Sequence, residues 1–287
     1  MSGSPQRAIL LLSCPEQKGI VAAVSDFLYR NDGNIVDADQ HTDFESNLFL
    51  QRVEWELDGF RLPREELADA FRPIAERFSM SWTLHFTSDV PRMAILVSKL
   101  DHCLHDLLWR RQAGELPAEV PFVLGNHEDL GPVAASFGLP FHLHPITPET
   151  RAEEGRRILS RFDAERIDLV VLARFMQVLG DDVVREWRGR MINIHHSFLP
   201  AFAGSRPYHQ AYTRGVKVIG ATAHYVTEQL DEGPIIEQDV VRVSHRDSVE
   251  DMIRKGRDLE RVVLARAVRL HLRRRVLVYG NRTVVFE

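Results

Sequence analysis

The chain has 287 residues, of which 44% are hydrophobic and 27% charged, and its formal net charge is -5 at pH 7. This length is typical of two domains, and the composition excludes disordered, collagen-like and low-complexity chains. The acidic balance argues against a nucleic-acid partner, because domains that bind nucleic acid usually carry a basic excess. No apolar run is long enough to cross a bilayer, so no membrane partner is expected. Cys14 and Cys103 lie far apart in no metal-binding spacing, which favours a reducing, cytoplasmic location over a disulfide framework.

The first 86 residues alternate strand-like and helix-like patterns. Their order, βαββαβ, is that of the ferredoxin-like fold. A polar, proline-containing stretch at 87–92 predicts a linker, so the first domain is placed at 1–86. The predicted elements are a strand at 8–13, a helix at 20–28, strands at 35–42 and 48–55, a helix at 64–78 and a strand at 81–86.

From residue 93 the pattern changes to apolar strands separated by amphipathic helices. Such strands are typical of a mostly parallel sheet covered on both faces, the doubly wound α/β class, in which ligands bind at the carboxyl ends of strands. This second domain is placed at 93–287, and it ends with a long helix and a hairpin. Strands are predicted at 93–98, 121–125, 140–144, 168–173, 191–192, 218–226, 234–243, 276–279 and 283–286, and helices at 101–111, 132–137, 148–162 and 248–273.

The densest polar cluster is the segment 193–200, Asn-Ile-His-His-Ser-Phe-Leu-Pro. In a strand, Asn193 and His195 project to one face and His196 to the other. An amide donor beside an imidazole suits a reaction that develops an oxyanion and moves a proton near neutral pH. Asp231 is a third candidate, because a carboxylate can orient an imidazole or a water molecule. Each also has a structural interpretation, since strand-end His and Asn often only pack, and an Asp before Glu-Gly-Pro is ordinary turn chemistry.

The remaining histidines of this region are assigned to packing or to backbone hydrogen bonds. A zinc site built from His195, His196 and Asp231 is conceivable, but adjacent strand histidines face opposite ways and cannot reach one ion without a bend. No metal is therefore expected. The histidines assigned to packing are His196, His209, His224 and His245.

These motifs resemble those of the folate-dependent formyltransferase superfamily, whose members handle 10-formyltetrahydrofolate. Within it, the chain looks like the formyltetrahydrofolate deformylase family, and its N-terminal unit is similar to an ACT domain. Together the similar segments cover nearly the whole chain. The resemblance is carried by 193–195, 197–200, Phe202, Gly204 and 230–236 for the superfamily, by 195–202, 206–212 and 220–225 for the deformylases, and by 13–21 and 34–41 for the ACT domain.

The resemblance implies a ferredoxin-like ACT domain followed by a doubly wound, mostly parallel formyltransferase-like domain. The implied reaction is hydrolysis of 10-formyltetrahydrofolate to formate and tetrahydrofolate, which supplies formate for purine biosynthesis and balances one-carbon folate pools. Asn193 would donate to the formyl oxygen, His195 would move protons, and Asp231 would position water and tune His195. No cofactor is implied, because the folate is the substrate.

The segment 172–179 is similar to the strand-to-helix segment that lines the folate pocket in this superfamily. The alternative is that Phe175, Met176 and Leu179 are core residues at helical spacing. The residues implied to contact the folate are Arg174, Phe175, Met176, Val178, Leu179, Leu230 and Gly233.

The stretch 97–104 contains no glycine, whereas glycinamide ribonucleotide formyltransferases carry a Gly-rich phosphate loop at the equivalent place. This difference favours water over a phosphorylated amine as the formyl acceptor, although Ser98 or Lys99 could still meet a phosphate. Asn126 is expected near the active site or, alternatively, in a turn. Ser98, Lys99, Asn126 and His196 are thus the expected neighbours of the site.

The segment Pro15 to Gly19 precedes the first helix and leaves free N–H groups that can accept a carboxylate. Lys18, Gly19 and Ile20 are therefore the predicted effector site of the ACT-like domain. The resemblance implies methionine and glycine as effectors and a homo-oligomer formed by edge-to-edge pairing. The alternative is a dimerisation platform that binds no ligand, since an exposed sheet edge favours pairing in either case.

Two other functions stay open at this point. A true formyltransferase would retain Asn193, His195 and Asp231 but would need an acceptor site and partial exclusion of water. A non-catalytic amino-acid or folate sensor would use the fold for binding alone, and it would have no need of a proton shuttle aimed at a formyl group.

Overall fold

The computed structural model describes residues 6–201 and 207–287, which divide into two compact units. The first unit comprises the described residues up to Val90 with Arg274–Leu277 and Val284–Glu287, and the second comprises Pro91–Arg273 and Val278–Thr283. The motif positions Phe202, Gly204 and Arg206 lie outside the described residues. Within the described ranges, no helix is long and apolar enough to span a membrane.

The first unit is built on a four-stranded antiparallel sheet in the order β2-β3-β1-β4. Alternate residues of the first strand, Ala8, Leu10 and Leu12, are buried in one core with apolar residues of both helices. The predicted ferredoxin-like βαββαβ order is confirmed. Its elements are β1 (Arg7–Pro15), α1 (Ile20–Arg30), β2 (Ile35–Asp43), β3 (Leu48–Glu56), α2 (Arg64–Arg77) and β4 (Ser81–Phe86).

The two C-terminal segments belong to this first unit by their contacts, whereas the sequence pattern places them in the 93–287 domain. Phe286 is buried, and the buried Arg52 side chain donates from Nε to the carbonyl oxygen of Arg274 at 3.0 Å. Arg275 forms an ion pair with Asp37 at 3.0 Å. Sequence periodicity does not reveal such contacts, because they join residues more than 200 positions apart.

The second unit is built on a seven-stranded sheet in the order β11-β10-β9-β8-β5-β6-β7. The five strands β5 to β9 are parallel to their neighbours in this group, and β10 runs antiparallel to both of its neighbours. The predicted mostly parallel sheet is therefore confirmed. Its elements are β5 (Met93–Val97), α3 (His102–Gln112), β6 (Val123–Gly125), α4 (Gly131–Ser136), β7 (Phe141–Leu143), α5 (Arg151–Ala164), β8 (Leu169–Ala173), α6 (Asp181–Glu186), β9 (Met191–His195), α7 (Pro207–Arg214), β10 (Val218–Tyr225), β11 (Ile235–Arg242) and α8 (Val249–Leu272).

The chain closes with a two-stranded hairpin, β12 (Val276–Tyr279) and β13 (Arg282–Val285). This hairpin surrounds Gly280, whose φ of 55° suits the tight turn. The predicted hairpin at this place is thereby confirmed.

The order of the strands fixes where a ligand can bind in the second unit. From β5 the chain adds β6 and β7 on one side and then crosses to β8 and β9 on the other. The carboxyl ends of β5 and β8 therefore border the topological switch point, where doubly wound sheets bind their ligands. Both strands are buried along their whole length, and this packing holds their carboxyl ends in place.

Two short helices, α6 and α7, have no counterpart among the predicted elements. They contain six and eight residues, which is too short for a 3.6-residue period to stand out. The segment from Arg174 to Gly180 is irregular, so the interpretation of Phe175, Met176 and Leu179 as a helical stripe is wrong. Phe175 and Leu179 are nevertheless buried in a core cluster, whereas Met176 is exposed.

Candidate active site

The antiparallel pair β9 and β10 brings four polar side chains to one face of the sheet. In the register, Asn193 lies opposite His224 and His195 lies opposite Thr222. Directly opposed residues of an antiparallel pair point to the same face, and side chains alternate along each strand. The two strands therefore present an amide, two imidazoles and a hydroxyl together.

Asp231 reaches these histidines from the loop between β10 and β11. Its Oδ2 atom lies 3.2 Å from Nδ1 of His195, and its Oδ1 atom lies 3.7 Å from Nε2 of His224. Asp231 has a φ of 58°, in the left-handed region that Asp tolerates better than most residues. Gly233 holds the loop against β10, because a Cβ atom there would lie 1.7 Å from the Tyr225 carbonyl oxygen. No other residue allows this approach.

The electrostatics of the site favour an ionised Asp231. The hydrogen bond from His195 is the main cause that holds the pKa of the Asp231 carboxyl well below its ordinary range. An ionised carboxylate only accepts, so the proton between the two groups resides on Nδ1 of His195. The Nε2 atom of His195 is buried and has no hydrogen-bond partner in the described part of the chain. In the neutral imidazole this atom carries the lone pair that can take a proton.

His224 orients Asn193. Its Nδ1 atom lies 2.9 Å from the Tyr225 carbonyl oxygen, which can only accept, so Nδ1 carries the proton of the neutral ring. The Nε2 atom is then an acceptor, and it lies 3.3 Å from Nδ2 of Asn193. The amide nitrogen of Asn193 therefore faces His224, and its second N–H remains for a substrate oxygen. The sequence assigned His224 to packing, although its alternation with Thr222 along a strand beside Asn193 and His195 signals the shared face.

A cavity of about 400 Å³ opens beside these groups. This volume is within the range of small-molecule sites, roughly 300–1,000 Å³. Of the residues expected to contact the folate, only Gly233 does not line it, and its part is to shape the Asp231 loop. The lining includes Arg174, Phe175, Met176, Val178, Leu179, Asn193, His195, His196, His224, Leu230 and Asp231.

His196 lies beside His195, and the expectation that it faces the opposite way is wrong. The two rings stack, with centroids 5.2 Å apart and an interplanar angle of 27°. The reason is that β9 ends at His195, so strand alternation does not extend to His196. Burial, with a smaller contribution from the charge of Arg174, lowers the pKa of His196 to about 4. His196 is therefore neutral near pH 7.

Because His196 stacks on His195, strand alternation does not exclude a zinc site at His195, His196 and Asp231. Whether a metal ion could bind therefore depends on which ligand atoms lie close together. In residues 6–201 and 207–287, the group with ligand atoms close enough for an ion is His102, Cys103 and Glu260. Its members suit a cation poorly. Burial raises the pKa of the Cys103 thiol well above its ordinary value, and the guanidinium of Arg174 lies 3.4 Å from the Glu260 carboxylate.

Ser98 and Asn126 clamp strand ends together and do not line the cavity. The Ser98 hydroxyl donates to Oδ1 of Asn126 at 2.6 Å and accepts the Met176 backbone N–H at 2.8 Å. This ties the carboxyl ends of β5 and β6 to the segment after β8. Lys99 is exposed and also lies outside the cavity lining. None of these three expected neighbours lines the cavity, and Ser98 and Asn126 support the site only by holding the strand ends together.

Thr222, which was not among the predicted site residues, fixes the segment after β9. Its buried hydroxyl donates to the Ser197 carbonyl oxygen at 2.8 Å and accepts the Leu199 N–H at 3.1 Å. It also accepts from Nε2 of Gln238 at 2.9 Å. Buried hydroxyls with several partners hold backbone segments in one conformation. Thr222 therefore anchors the chain immediately after the two stacked histidines.

The expected effector site lies in the first unit, at the start of α1. Gly19 precedes the helix with a φ of 96°, no side chain caps the helix, and its first turn carries no acidic residue. Ile20 is buried and Lys18 is exposed.

Comparison with known proteins gives the following similarities. Residues 91–268 match the protein family described as Formyl transferase. A protein of Synechocystis sp. named Formyltetrahydrofolate deformylase is 61% identical over 279 residues, covering 97% of this chain and 98% of the relative. The crystal structure of a formyltetrahydrofolate deformylase from Pseudomonas syringae pv. tomato has a TM-score of 0.97 at 46% identity, covering 100% of this chain and 96% of that chain. Glycinamide ribonucleotide transformylase 1 from Symbiobacterium toebii has a TM-score of 0.66 at 31% identity, covering 71% of this chain and 98% of the other.

Proposed function

The chain belongs to the formyltetrahydrofolate deformylase family, and from this premise we propose that it hydrolyses 10-formyltetrahydrofolate to formate and tetrahydrofolate at Asn193, His195 and Asp231. The observation that carries the proposal is the contact of 3.2 Å between His195 and Asp231 beside the cavity. This contact leaves Nε2 of His195 as a base for water, as hydrolysis requires.

The first step is attack of water on the formyl carbon. Nε2 of His195 takes a proton from the water, a C–O bond forms, and the carbonyl electron pair moves to the formyl oxygen. The free N–H of Asn193 Nδ2 donates to this oxyanion. Loss of one such donor typically reduces the rate about 100- to 1,000-fold.

The second step is collapse of the tetrahedral intermediate. The imidazolium of His195 returns its proton to N10, the oxyanion electron pair re-forms the C=O bond as the C–N bond breaks, and tetrahydrofolate leaves together with formic acid, which ionises to formate in water. The ionised Asp231 stabilises the imidazolium between the two steps, since its negative charge lies 3.2 Å from Nδ1.

The folate is proposed to bind along the apolar part of the same cavity. Met176, Val178 and Leu230 are large apolar side chains that line the cavity and are exposed. Adjacent exposed apolar side chains often mark a surface that a ligand covers. A flat pterin ring would cover them, and the backbone of the irregular segment after β8 offers donors and acceptors to its polar edge.

The proposal is tested by formate release from 10-formyltetrahydrofolate, with and without a chelator and with and without glycinamide ribonucleotide. We expect release without an acceptor that the chelator does not reduce. In Asn193→Ala and His195→Ala, kcat should fall strongly while KM for the folate changes little. Formylation of the amine without free formate would favour the transferase, and silence in both assays would favour the sensor.

The first unit is proposed to regulate the enzyme by binding an amino acid such as methionine or glycine at Lys18, Gly19 and Ile20. The support is the uncapped start of α1, whose N–H groups favour a carboxylate. Lys18→Glu places a competing carboxylate there, so a response of formate release to methionine or glycine should disappear in this variant. A response equal to that of the unaltered chain would contradict the proposal.

The same unit is proposed to pair into a homo-oligomer through its edge strands β2 and β4, which have unpaired backbone groups on one side in the described sheet. Sedimentation velocity of the full chain tests this pairing.

A cytoplasmic location and a supply of formate for purine biosynthesis are proposed together with the hydrolysis. The two cysteines form no disulfide, which supports the location.

A further inference from the structure

The two ring nitrogens of His196 have no partner in the part of the chain that the structure describes. Neither forms a hydrogen bond there, and neither is enclosed by protein, unlike the buried Nε2 atom of His195. The side chain of His196 is half-buried and lines the catalytic cavity. Its open nitrogens therefore face the space that the substrate would enter. A neutral imidazole offers one donor and one acceptor to a group that binds there.

Aromatic contacts fix the position of the His196 ring. It stacks on His195, and its centroid lies 6.0 Å from that of the Tyr208 ring. The Tyr208 hydroxyl is itself held, because it donates to the buried carboxylate of Glu260 at 2.8 Å. Gly256 leaves room for this contact, since a Cβ atom there would lie 2.0 Å from the hydroxyl oxygen. The His196 ring thus packs against groups that the fold holds in place.

A water molecule that attacks from His195 needs a further partner. Nε2 of His195, the proposed base, is buried. A buried water molecule typically makes about three hydrogen bonds, of which this base receives one. The two oxygens of Asp231 are directed at His195 and His224, and the free N–H of Asn193 is assigned to the formyl oxygen. Another polar group beside His195 is therefore required.

We infer that His196 is this group, which accepts a hydrogen bond from the attacking water and so directs the water oxygen at the formyl carbon. The inference rests on the proposed function and adds a catalytic residue to it. During the attack, one O–H of the water gives its proton to Nε2 of His195 and the oxygen forms the C–O bond. The second O–H stays hydrogen-bonded to His196, and no proton is transferred to that ring.

The distance between the two rings allows them to share a water molecule. A hydrogen bond between water and a ring nitrogen spans about 2.9 Å, so nitrogens up to about 5.8 Å apart can share one water. The centroids of the His195 and His196 rings are 5.2 Å apart. Burial is the main cause that lowers the pKa of His196 to about 4, so the ring keeps a lone pair near pH 7. An imidazolium could not accept from the water.

The first experiment removes the nitrogens and keeps a ring. His196→Phe retains an aromatic ring that can stack on His195, but this ring cannot hold the water. We expect kcat for formate release to fall roughly 100-fold, because misplacing a reacting group by about 1 Å can have this effect. KM for the folate should change little. A kcat within a few-fold of normal would show that His196 only packs and would overturn the inference.

Amide substitutions test for recovery of the water contact. His196→Asn places an amide near the position of Nδ1, and His196→Gln places one near that of Nε2. At least one of them should have a kcat roughly tenfold above that of His196→Phe, since an amide can also hold water. Two amide variants as slow as His196→Phe would overturn the inference. If His196→Phe does not fold, His196→Ala replaces it with the same expected results.

A second nucleophile separates a role towards water from a role towards the formyl oxygen. Hydroxylamine attacks the same carbon through its nitrogen, the C–N10 bond breaks as N10 takes a proton, and formohydroxamic acid and tetrahydrofolate leave. The assay uses a hydroxylamine concentration at which the unaltered chain forms both products, with the rates without enzyme subtracted. The ratio of formohydroxamate to formate should rise roughly tenfold or more in His196→Phe, because only the attack by water depends on His196.

Asn193→Ala is the reference for this ratio. It loses the donor to the formyl oxygen, so both products should fall together and their ratio should stay near normal. An equal loss of both products in His196→Phe would place His196 at the formyl oxygen and would overturn the inference.

His142→Phe is the matched control. His142 is also half-buried, burial also lowers its pKa, and its ring packs on Phe122, but it lies outside the cavity lining. Its kcat and product ratio should be normal. The two proposals fail in different ways. An unaltered chain that releases no formate would contradict the proposed function, whereas normal release by both the unaltered chain and His196→Phe would overturn this inference alone.

Discussion

The Nδ1 atom of His195 lies 3.2 Å from Oδ2 of Asp231 and thereby joins the end of β9 to the loop after β10. This contact is made between side chains of the protein itself, so it orients the imidazole within the fold. Preorganisation of this kind lowers a reaction barrier, because no reorientation is needed when charge develops.

We expect Asp231→Asn to reduce kcat about 1,000-fold or more, because an amide nitrogen can favour the wrong tautomer of His195 and cannot stabilise its imidazolium. KM for the folate should change little. Steady-state formate release measures both constants. Asp239→Asn is the control, since Asp239 lies on β11 in an exposed ion pair with Arg266, and it should retain normal activity. A kcat for Asp231→Asn within a few-fold of normal would exclude the assigned role.

His224→Ala should reduce kcat about tenfold or more, but less than the 100- to 1,000-fold typical of losing an oxyanion donor outright. The reason is that Asn193 keeps its amide but loses the acceptor that orients it at 3.3 Å. The exposed His245, replaced by Ala, serves as the control. Identical kinetics of the two variants would show that His224 only packs.

Gly233→Ala should disrupt the Asp231 loop, because the added methyl group would lie 1.7 Å from a backbone oxygen. We expect a fall in kcat together with a lower Tm. Gly131→Ala is the matched control, since Gly131 has a helical φ of -55° and its added methyl group would make only ordinary contacts, at 3.5 Å. Activity and Tm of Gly233→Ala that match this control would refute the assigned close approach.

The pKa of His196 predicts how stability depends on pH. The unfolded chain binds a proton at His196 near its ordinary pKa of 6.5, whereas the folded chain does so only near about 4. The unfolded state therefore binds more protons between these values, and the folded state loses stability as the pH falls from 6.5 towards 4.

His196→Gln should remove this contribution, so its free energy of unfolding should fall less than normal between about pH 7 and about pH 5. Urea unfolding at the two pH values measures the difference. His245→Gln, at an exposed position, should keep the normal dependence. A steeper loss in His196→Gln than in the unaltered chain would contradict the sign.

The sequence predicted the order of the long elements and the positions of Asn193, His195 and Asp231, because hydrophobic period and local motifs express both. It did not predict that His196 stacks on His195, since the end of a strand by one residue decides that direction. The burial of Glu260 was not predicted either, for another reason. A glutamate in a long charged helix is usually solvated, and only the tertiary packing of His102, Tyr208 and Arg174 buries it.

The register between β9 and β10 also sets which changes in chain length the enzyme tolerates. Asn193 lies opposite His224 and His195 lies opposite Thr222 because the two strands pair in one register without an extra residue in this stretch. One residue inserted within either strand would turn Ile194 or Ala223 towards the cavity and remove the polar groups from it. Viable length variants of this protein should therefore carry their insertions and deletions outside 191–195 and 218–225, a pattern that a library of single-codon insertions would reveal.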